Sequence, residues 1–261
     1  MLNIDGLSVS YGAVAVLKDL EFSAKPGNFI ALLGPNGTGK SSFLKAIAGL
    51  IPAKGSVRLT GGSTLTPHQR ADRIAYMPQD TGSTSSLTVL EVILLGRLRS
   101  LGLHVPEQIQ KEALLGLFKF GLQELSARTL DALSGGQRQL VYLAQSFFRN
   151  PEILLLDEPT AALDLRHQLM VLERVAMHCR ENGTIAIAAM HDLSLASRCA
   201  DRVVCLSEGE VVADGVPADV LTSGLIKKMY GVEADVLSGP NGTVHILPLR
   251  AVDAANEPYA A

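Results

Sequence analysis

The sequence predicts an α/β protein in which a mixed sheet carries a glycine-rich loop, antiparallel strands stand at the N-terminal side, and an all-helical stretch is inserted. Three observations predict it. The stretch Phe29 to Leu50, FIALLGPNGTGKSSFLKAIAGL, passes from a short apolar run through a glycine-rich loop into apolar residues at helical spacing. Ile153 to Leu156 and Ile185 to Ala189 are continuous apolar runs, the pattern of strands buried on both faces of a parallel sheet. Residues from about 88 to 148 carry helical patterns and no strand pattern, unlike the segments on either side.

With 261 residues, 47% hydrophobic and 19% charged, the chain is long enough to bury a sizeable core. A net charge of −3 argues against a basic nucleic-acid surface, so no nucleic-acid partner is expected. No apolar run approaches the ~18 residues that span a bilayer, and MLNIDGLSVSYG has no basic segment followed by an apolar one. The three cysteines, Cys179, Cys199 and Cys205, lack C-x-x-C spacing and lie in apolar segments, where buried free thiols are expected.

Taken in order, Leu7 and Val9, then Leu20 and Phe22, alternate with polar neighbours as half-buried antiparallel strands do, with Tyr11 at a strand end. In the glycine loop, Gly34, Gly37 and Gly39 lack a Cβ, so successive N–H groups can turn toward one anion. The helix beginning near Lys40 adds its positive end. Lys40 supplies a full charge for β- and γ-phosphates, and the Ser41 hydroxyl can reach Mg²⁺, which together describe a nucleoside-triphosphate cradle. Val57 and Leu59 suggest a strand, and Arg73 to Met77 another that ends at Pro78-Gln79. Thr81 to Ser86 reads as a loop. Thr88 and Glu91 form a capping box that starts a helix, and Pro106 to Phe120 a second helix.

Ser134 and Gln137, within Leu133-Ser134-Gly135-Gly136-Gln137, repeat the capping-box spacing and put two glycines in a first helical turn, a second plausible anion receptor. The apolar run from Ile153 ends in Asp157-Glu158, and that from Ile185 delivers Met190-His191-Asp192, where open α/β sheets place ligand chemistry. Leu165 to Glu181 is an amphipathic helix capped by Gly183. A hairpin is expected at Val203 to Ala213, helical structure at Pro217 to Tyr230, and two strands around Ser238 to Gly242.

The glycine loop, LSGGQ at Leu133 to Gln137, ILLLDEP at Ile153 to Pro159, and His191, in this order, resemble the ATP-binding-cassette ATPases over about residues 2 to 230. The narrower resemblance is to the ATPase subunits of bacterial importers for iron-siderophore complexes, haem and vitamin B12. It rests on GPNGTGKSSFLKAIAGL, on Leu87 to Arg97, on Met190 to Val204, and on the tail VLTSGLIKKMYGVEADV. It implies a P-loop NTPase core of the RecA-like type and one cassette domain over residues 1–240. Residues 1–80 and 150–230 would form the α/β core with its antiparallel β subdomain, and about 88–148 the helical subdomain. Residues 231–250 would form a hairpin-like extension and 251–261 a frayed tail.

By the same resemblance, ATP and Mg²⁺ are the expected cofactors. Tyr11 would stack on adenine, and Gly34, Pro35, Asn36, Gly37, Thr38, Gly39, Lys40, Ser41 and Ser42 would hold the triphosphate. Ser41, Gln79 and Asp157 would attend Mg²⁺, Glu158 would be the general base, and His191 would contact the γ-phosphate. Ser134, Gly135, Gly136 and Gln137 of a second copy would complete each site, so that two ATPs are clamped head to tail. Integral membrane permease subunits would dock near Thr81 to Arg97, with a periplasmic or surface substrate-binding protein acting indirectly, and the chain would lie peripherally at the cytoplasmic face of the inner membrane. The alternative is a cassette ATPase serving iron–sulfur assembly or another role outside transport. Relatives often carry Arg where this chain has Leu140, which predicts altered packing there.

Overall fold

The computed structural model describes residues 1–59, 62, 64–79, 85–98, 104–239 and 242–252. Its strands are β1 (Leu2–Tyr11), β2 (Val14–Ala24), β3 (Phe29–Leu33), β4 (Lys54–Leu59), β5 (Ile74–Met77), β6 (Ile153–Asp157), β7 (Ile185–Ala189), β8 (Arg202–Ser207), β9 (Glu210–Gly215), β10 (Val232–Ser238) and β11 (Val244–Ala251). Its helices are α1 (Lys40–Ala48), α2 (Pro67–Arg73), α3 (Val89–Leu95), α4 (Glu107–Lys119), α5 (Gly135–Phe148), α6 (Leu165–Asn182), α7 (Leu193–Cys199), α8 (Pro217–Val220) and α9 (Ser223–Tyr230).

A six-stranded sheet runs in the order β5-β6-β7-β3-β8-β9, parallel throughout except for the β8–β9 hairpin. Every residue of β3, β6 and β7 is buried, which is why these strands read as unbroken apolar runs. Alternate side chains go to opposite layers. Phe29, Ala31, Leu33, Leu154, Leu156, Ala186 and Ala188 pack toward α5, α6 and α7, whereas Ile30, Leu32, Leu155 and Ile187 pack against Phe43, Leu44 and Ile47 of α1. A three-stranded antiparallel sheet, β2-β1-β4, covers α1 with Leu2, Ile4, Leu7, Phe22 and Val57. Phe22 meets Phe43 edge to face at 5.6 Å.

Between residues 89 and 148 the described elements are helices and short 3₁₀ turns, with α3 packed on α4 and α5. Thr88 and Glu91 close the expected reciprocal cap: the Thr88 N–H donates to the Glu91 carboxylate at 2.7 Å and the Glu91 N–H to Thr88 Oγ1 at 3.3 Å. Leu140 is buried in the core that α5 shares with the sheet.

Pro217 to Tyr230 forms two helices, because the chain breaks at Leu221 and the Thr222 side chain caps α9 by accepting from the Leu225 N–H. One expectation is corrected: Cys199 is only partly buried, since it sits at the last turn of α7, while Cys179 and Cys205 are buried. β10 and β11 pair as a hairpin pinned to α7, where Ser197 and Ser194 accept from the Val244 and Ile246 N–H groups at 2.8 and 3.1 Å. Of the expected loops and tail, Thr81 to Thr84, Pro240-Asn241 and residues 253–261 lie outside the described residues. Among the described residues no helix is long and apolar enough to cross a membrane.

Candidate nucleotide site

Parallel pairing of β5, β6, β7 and β3 brings their carboxyl ends to one edge of the sheet. That edge receives Gln79 after β5, Asp157-Glu158 at β6, His191 after β7 and the glycine loop after β3. The resulting cleft, about 670 Å³, is lined by Tyr11, Val16, Asn36, Gly37, Gly39, Lys40, Ser41, Ser42, Gln79, Glu158 and His191.

The loop turns on Gly34, where φ is 152° and a Cβ would lie 2.4 Å from the Leu206 carbonyl oxygen, so no side chain fits. Thr38 Oγ1 donates to the Pro35 carbonyl at 2.9 Å and Gly39 opens α1. The Lys40 ammonium folds back over the loop, donating to the carbonyls of Gly34 at 2.5 Å and Pro35 at 2.9 Å. Burial lowers its pKa below the ordinary lysine value, opposed by the charges of Glu158 and Asp157. A buried cation with two carboxylates beyond it and N–H groups around it is suited to phosphate oxygens.

Asp157 is buried and held on both oxygens. Ser41 Oγ donates to one at 2.9 Å, and the Tyr76 hydroxyl to the other at 3.1 Å. Burial first, and then the Asp157 charge and hydrogen bond, push the Tyr76 phenol upward, keeping it a donor. Among the described residues no group of three or more His, Cys, Asp and Glu gathers for a metal. A hydroxyl and one carboxylate, both hard oxygen donors at the phosphate end of the cleft, fit Mg²⁺ as it is held in phosphate sites, with substrate oxygens and water as the remaining ligands.

Glu158 leaves β6 in the left-handed region, with φ at 53°. Such a conformation costs a residue other than glycine about 1–3 kcal/mol and persists only where the surroundings impose it. The surroundings are explicit. The Glu158 N–H donates to the Ala189 carbonyl at 3.2 Å, and its own carbonyl accepts from Gln139 Nε2 at 2.9 Å. The turn points the carboxylate into the cleft, where Oε1 meets His191 Nε2 at 2.5 Å. The Glu158 side chain is 16% exposed and that of His191 44%, so the histidine forms the outer wall. Tyr11, 53% exposed at the end of β1, borders the cleft with its hydroxyl 3.3 Å from Ser42 Oγ.

The Ser134–Gln137 turn is not part of this cleft. Ser134 and Gln137 cap the start of α5 reciprocally, at 3.0 and 3.2 Å, and the turn lines a separate hollow with Phe120, Leu163 and Asp164. Gly135 and Gly136 occupy the first helical turn. The chain thus gathers Tyr11, Lys40, Ser41, Gln79, Asp157, Glu158 and His191, and leaves Ser134, Gly135, Gly136 and Gln137 elsewhere.

Two polar residues at the site are given no role by the sequence reading. Tyr76 reads there only as a strand residue in RIAYM; a phenol within a buried strand beside the carboxylate strand is the signal. Gln139 reads only as one position in the helical register of α5; an amide at a core-facing helix position is its signal, since a buried polar group demands partners.

A family profile described as ABC transporter matches residues 17–161. The hemin import ATP-binding protein of Rhodopseudomonas palustris (strain BisA53) is 35% identical over 268 residues, 98% of this chain and 97% of that protein. The ferric enterobactin transport ATP-binding protein of Escherichia coli (strain K12) is 34% identical over 249 residues, covering 93% and 92%. Among solved structures, the dimeric post-hydrolysis state of an ATP-binding cassette bound to ADP and Pi superposes with a TM-score of 0.75 at 28% identity, covering 83% of this chain and 99% of that one.

Proposed function

The chain belongs to the ABC transporter ATPases, and from that premise we propose that it is the ATP-hydrolysing subunit of an importer for a metal chelate. Iron-siderophore complexes are the first choice of cargo, with haem and vitamin B12 next. Relatives named for hemin and ferric enterobactin import support this class. The observation that carries the reading is the split between a cleft rich in phosphate- and water-directed groups and a signature turn that lies outside it.

In this reading Tyr11 stacks on adenine, and the loop from Gly34 to Gly39 with Lys40, Ser41 and Ser42 binds the triphosphate. Ser41 and Gln79, with Asp157 through water, would hold Mg²⁺, whose charge would neutralise β- and γ-phosphate oxygens. Glu158 accepts the proton of the attacking water, oriented by its left-handed turn. His191 holds the carboxylate in place and reaches the γ-phosphate. Phosphoryl transfer needs positioning and charge neutralisation in a closed site. A second copy closes it: Ser134 to Gln137 of each chain covers the nucleotide of the other, so ATP drives a dimer that hydrolysis reopens.

We take residues 88–148 as a helical subdomain that receives a membrane permease near Thr81 to Arg97, with the chain peripheral at the cytoplasmic face of the membrane. A binding protein outside the membrane would hand over the cargo. Glu158→Gln tests the core of this reading. Phosphate release should fall about 10²–10⁴-fold, while Mg-ATP converts the variant to a dimer in light scattering. Parent-rate hydrolysis removes Glu158 as base, and a persistent monomer removes the shared site. Recovery from solubilised membranes with a polytopic partner supports transport; recovery only with partners of iron–sulfur assembly supports the alternative.

A further inference from the structure

We propose that Gln139 is a positioning residue that ties the catalytic turn at Glu158 to the helix carrying the signature turn, so that the two halves of the chain's nucleotide machinery hold a common register. The inference rests on the reading of Glu158 as general base and of Ser134 to Gln137 as the cover of a second copy's nucleotide.

Gln139 lies on α5, one helical turn past Gly135, and is 3% exposed. Its amide makes two bonds of opposite sense to one short segment. Nε2 donates to the Glu158 carbonyl at 2.9 Å, and Oε1 accepts from the Ala162 N–H at 3.2 Å. Both ends of the Glu158–Ala162 turn are therefore fixed to one side chain. A glutamine amide donates and accepts at once over this span, whereas asparagine is a methylene shorter.

Three further features converge on the same turn. Glu158 holds a left-handed backbone that needs outside support. At Gly136 a Cβ would stand 3.0 Å from the Ala162 carbonyl oxygen, so the start of α5 already touches the turn's far end. Gln168 Nε2 of α6 donates to the Thr160 carbonyl at 3.2 Å, closing the turn from its other side. A displacement of α5 against the sheet is thereby felt at the Glu158 backbone. In the dimer, α5 serves the partner's nucleotide and Glu158 serves its own, so this amide joins the two.

Gln139→Met keeps length and bulk but can make neither bond. Gln139→Asn keeps the amide but, a methylene shorter, cannot reach the Glu158 carbonyl and the Ala162 N–H at once. Steady-state hydrolysis is measured for both variants, beside Glu158→Gln, with melting temperature recorded. The expected result for both is a kcat lowered about ten- to hundredfold, the loss typical of a misplaced catalytic group, with KM for ATP within about twofold because the nucleotide contacts are intact. A parent-like kcat for Gln139→Met, at a temperature where it is folded, overturns the proposal, as does a loss expressed only in KM. If Gln139→Met does not fold, Gln139→Asn decides by the same split. Should Glu158→Gln hydrolyse ATP at the parent rate, the assignment of the base has failed; should it be inert while Gln139→Met is normal, only the role of Gln139 has.

Discussion

In the cleft, Ser41, Tyr76 and Asp157 on one side, and Glu158 with His191 on the other, are joined side chain to side chain across elements far apart in sequence. The Ser134–Gln137 turn, by contrast, is finished within four residues by its own reciprocal cap. Its glycines present backbone N–H groups and no side chains. The first region is a set of side chains that bond one another, with the Lys40 cation near both carboxylates. The second is a helix start whose side chains are spent on its own backbone. On the proposed reading, that difference separates the residues of catalysis from those of partner choice.

Three changes test the contrast, beginning with the largest effect. Ser134→Ala removes a cap and a hydroxyl from the helix start. Hydrolysis should fall about 10²–10³-fold, as loss of one transition-state donor does, while fluorescent-nucleotide titration of the dilute monomer returns the parent affinity. Equal losses in both assays would erase the distinction between the regions. Tyr11→Ala is the converse case. It should weaken nucleotide binding by about 1–3 kcal/mol, the range for one stacked base, with a smaller effect on the rate at saturation. The same titration checks it, and unchanged affinity would remove the stacking role.

The smallest change probes the pre-formed network. Tyr76→Phe deletes one donor to the buried Asp157 carboxylate and leaves Ser41 in place. It should cost about 1.5 kcal/mol, the low end of the range for a hydrogen bond to a charged group because Ser41 remains, and lower Tm by about 3–6 °C for a chain of this size. Calorimetry reads the loss, and an unchanged Tm would mean that Ser41 alone secures Asp157.

The sequence was most legible where structure is local. The loop from Gly34 to Ser41, the caps at Thr88 and Ser134, and Asp157-Glu158 at a strand end are each specified by residues a few positions apart, and each is found where the spacing puts it. What stayed hidden depends on pairing between distant segments. Tyr76 reaches Asp157 because β5 and β6 pair in parallel register, with Met77 opposite Leu156. The left-handed Glu158 and its meeting with His191 follow from β6 lying beside β7, with Asp157 opposite Ala189. No periodicity announces either. The break at Leu221-Thr222 escaped because Thr222 is a modest cap signal inside an otherwise helical pattern.

β3 lies inside the sheet, hydrogen-bonded to β7 on one side and β8 on the other, with none of its residues open to water. Its amides belong to the class that exchanges with deuterium only when the whole molecule opens. The glycine loop therefore springs from a fully buried strand, and hydrogen exchange should find its root among the last parts of the protein to open.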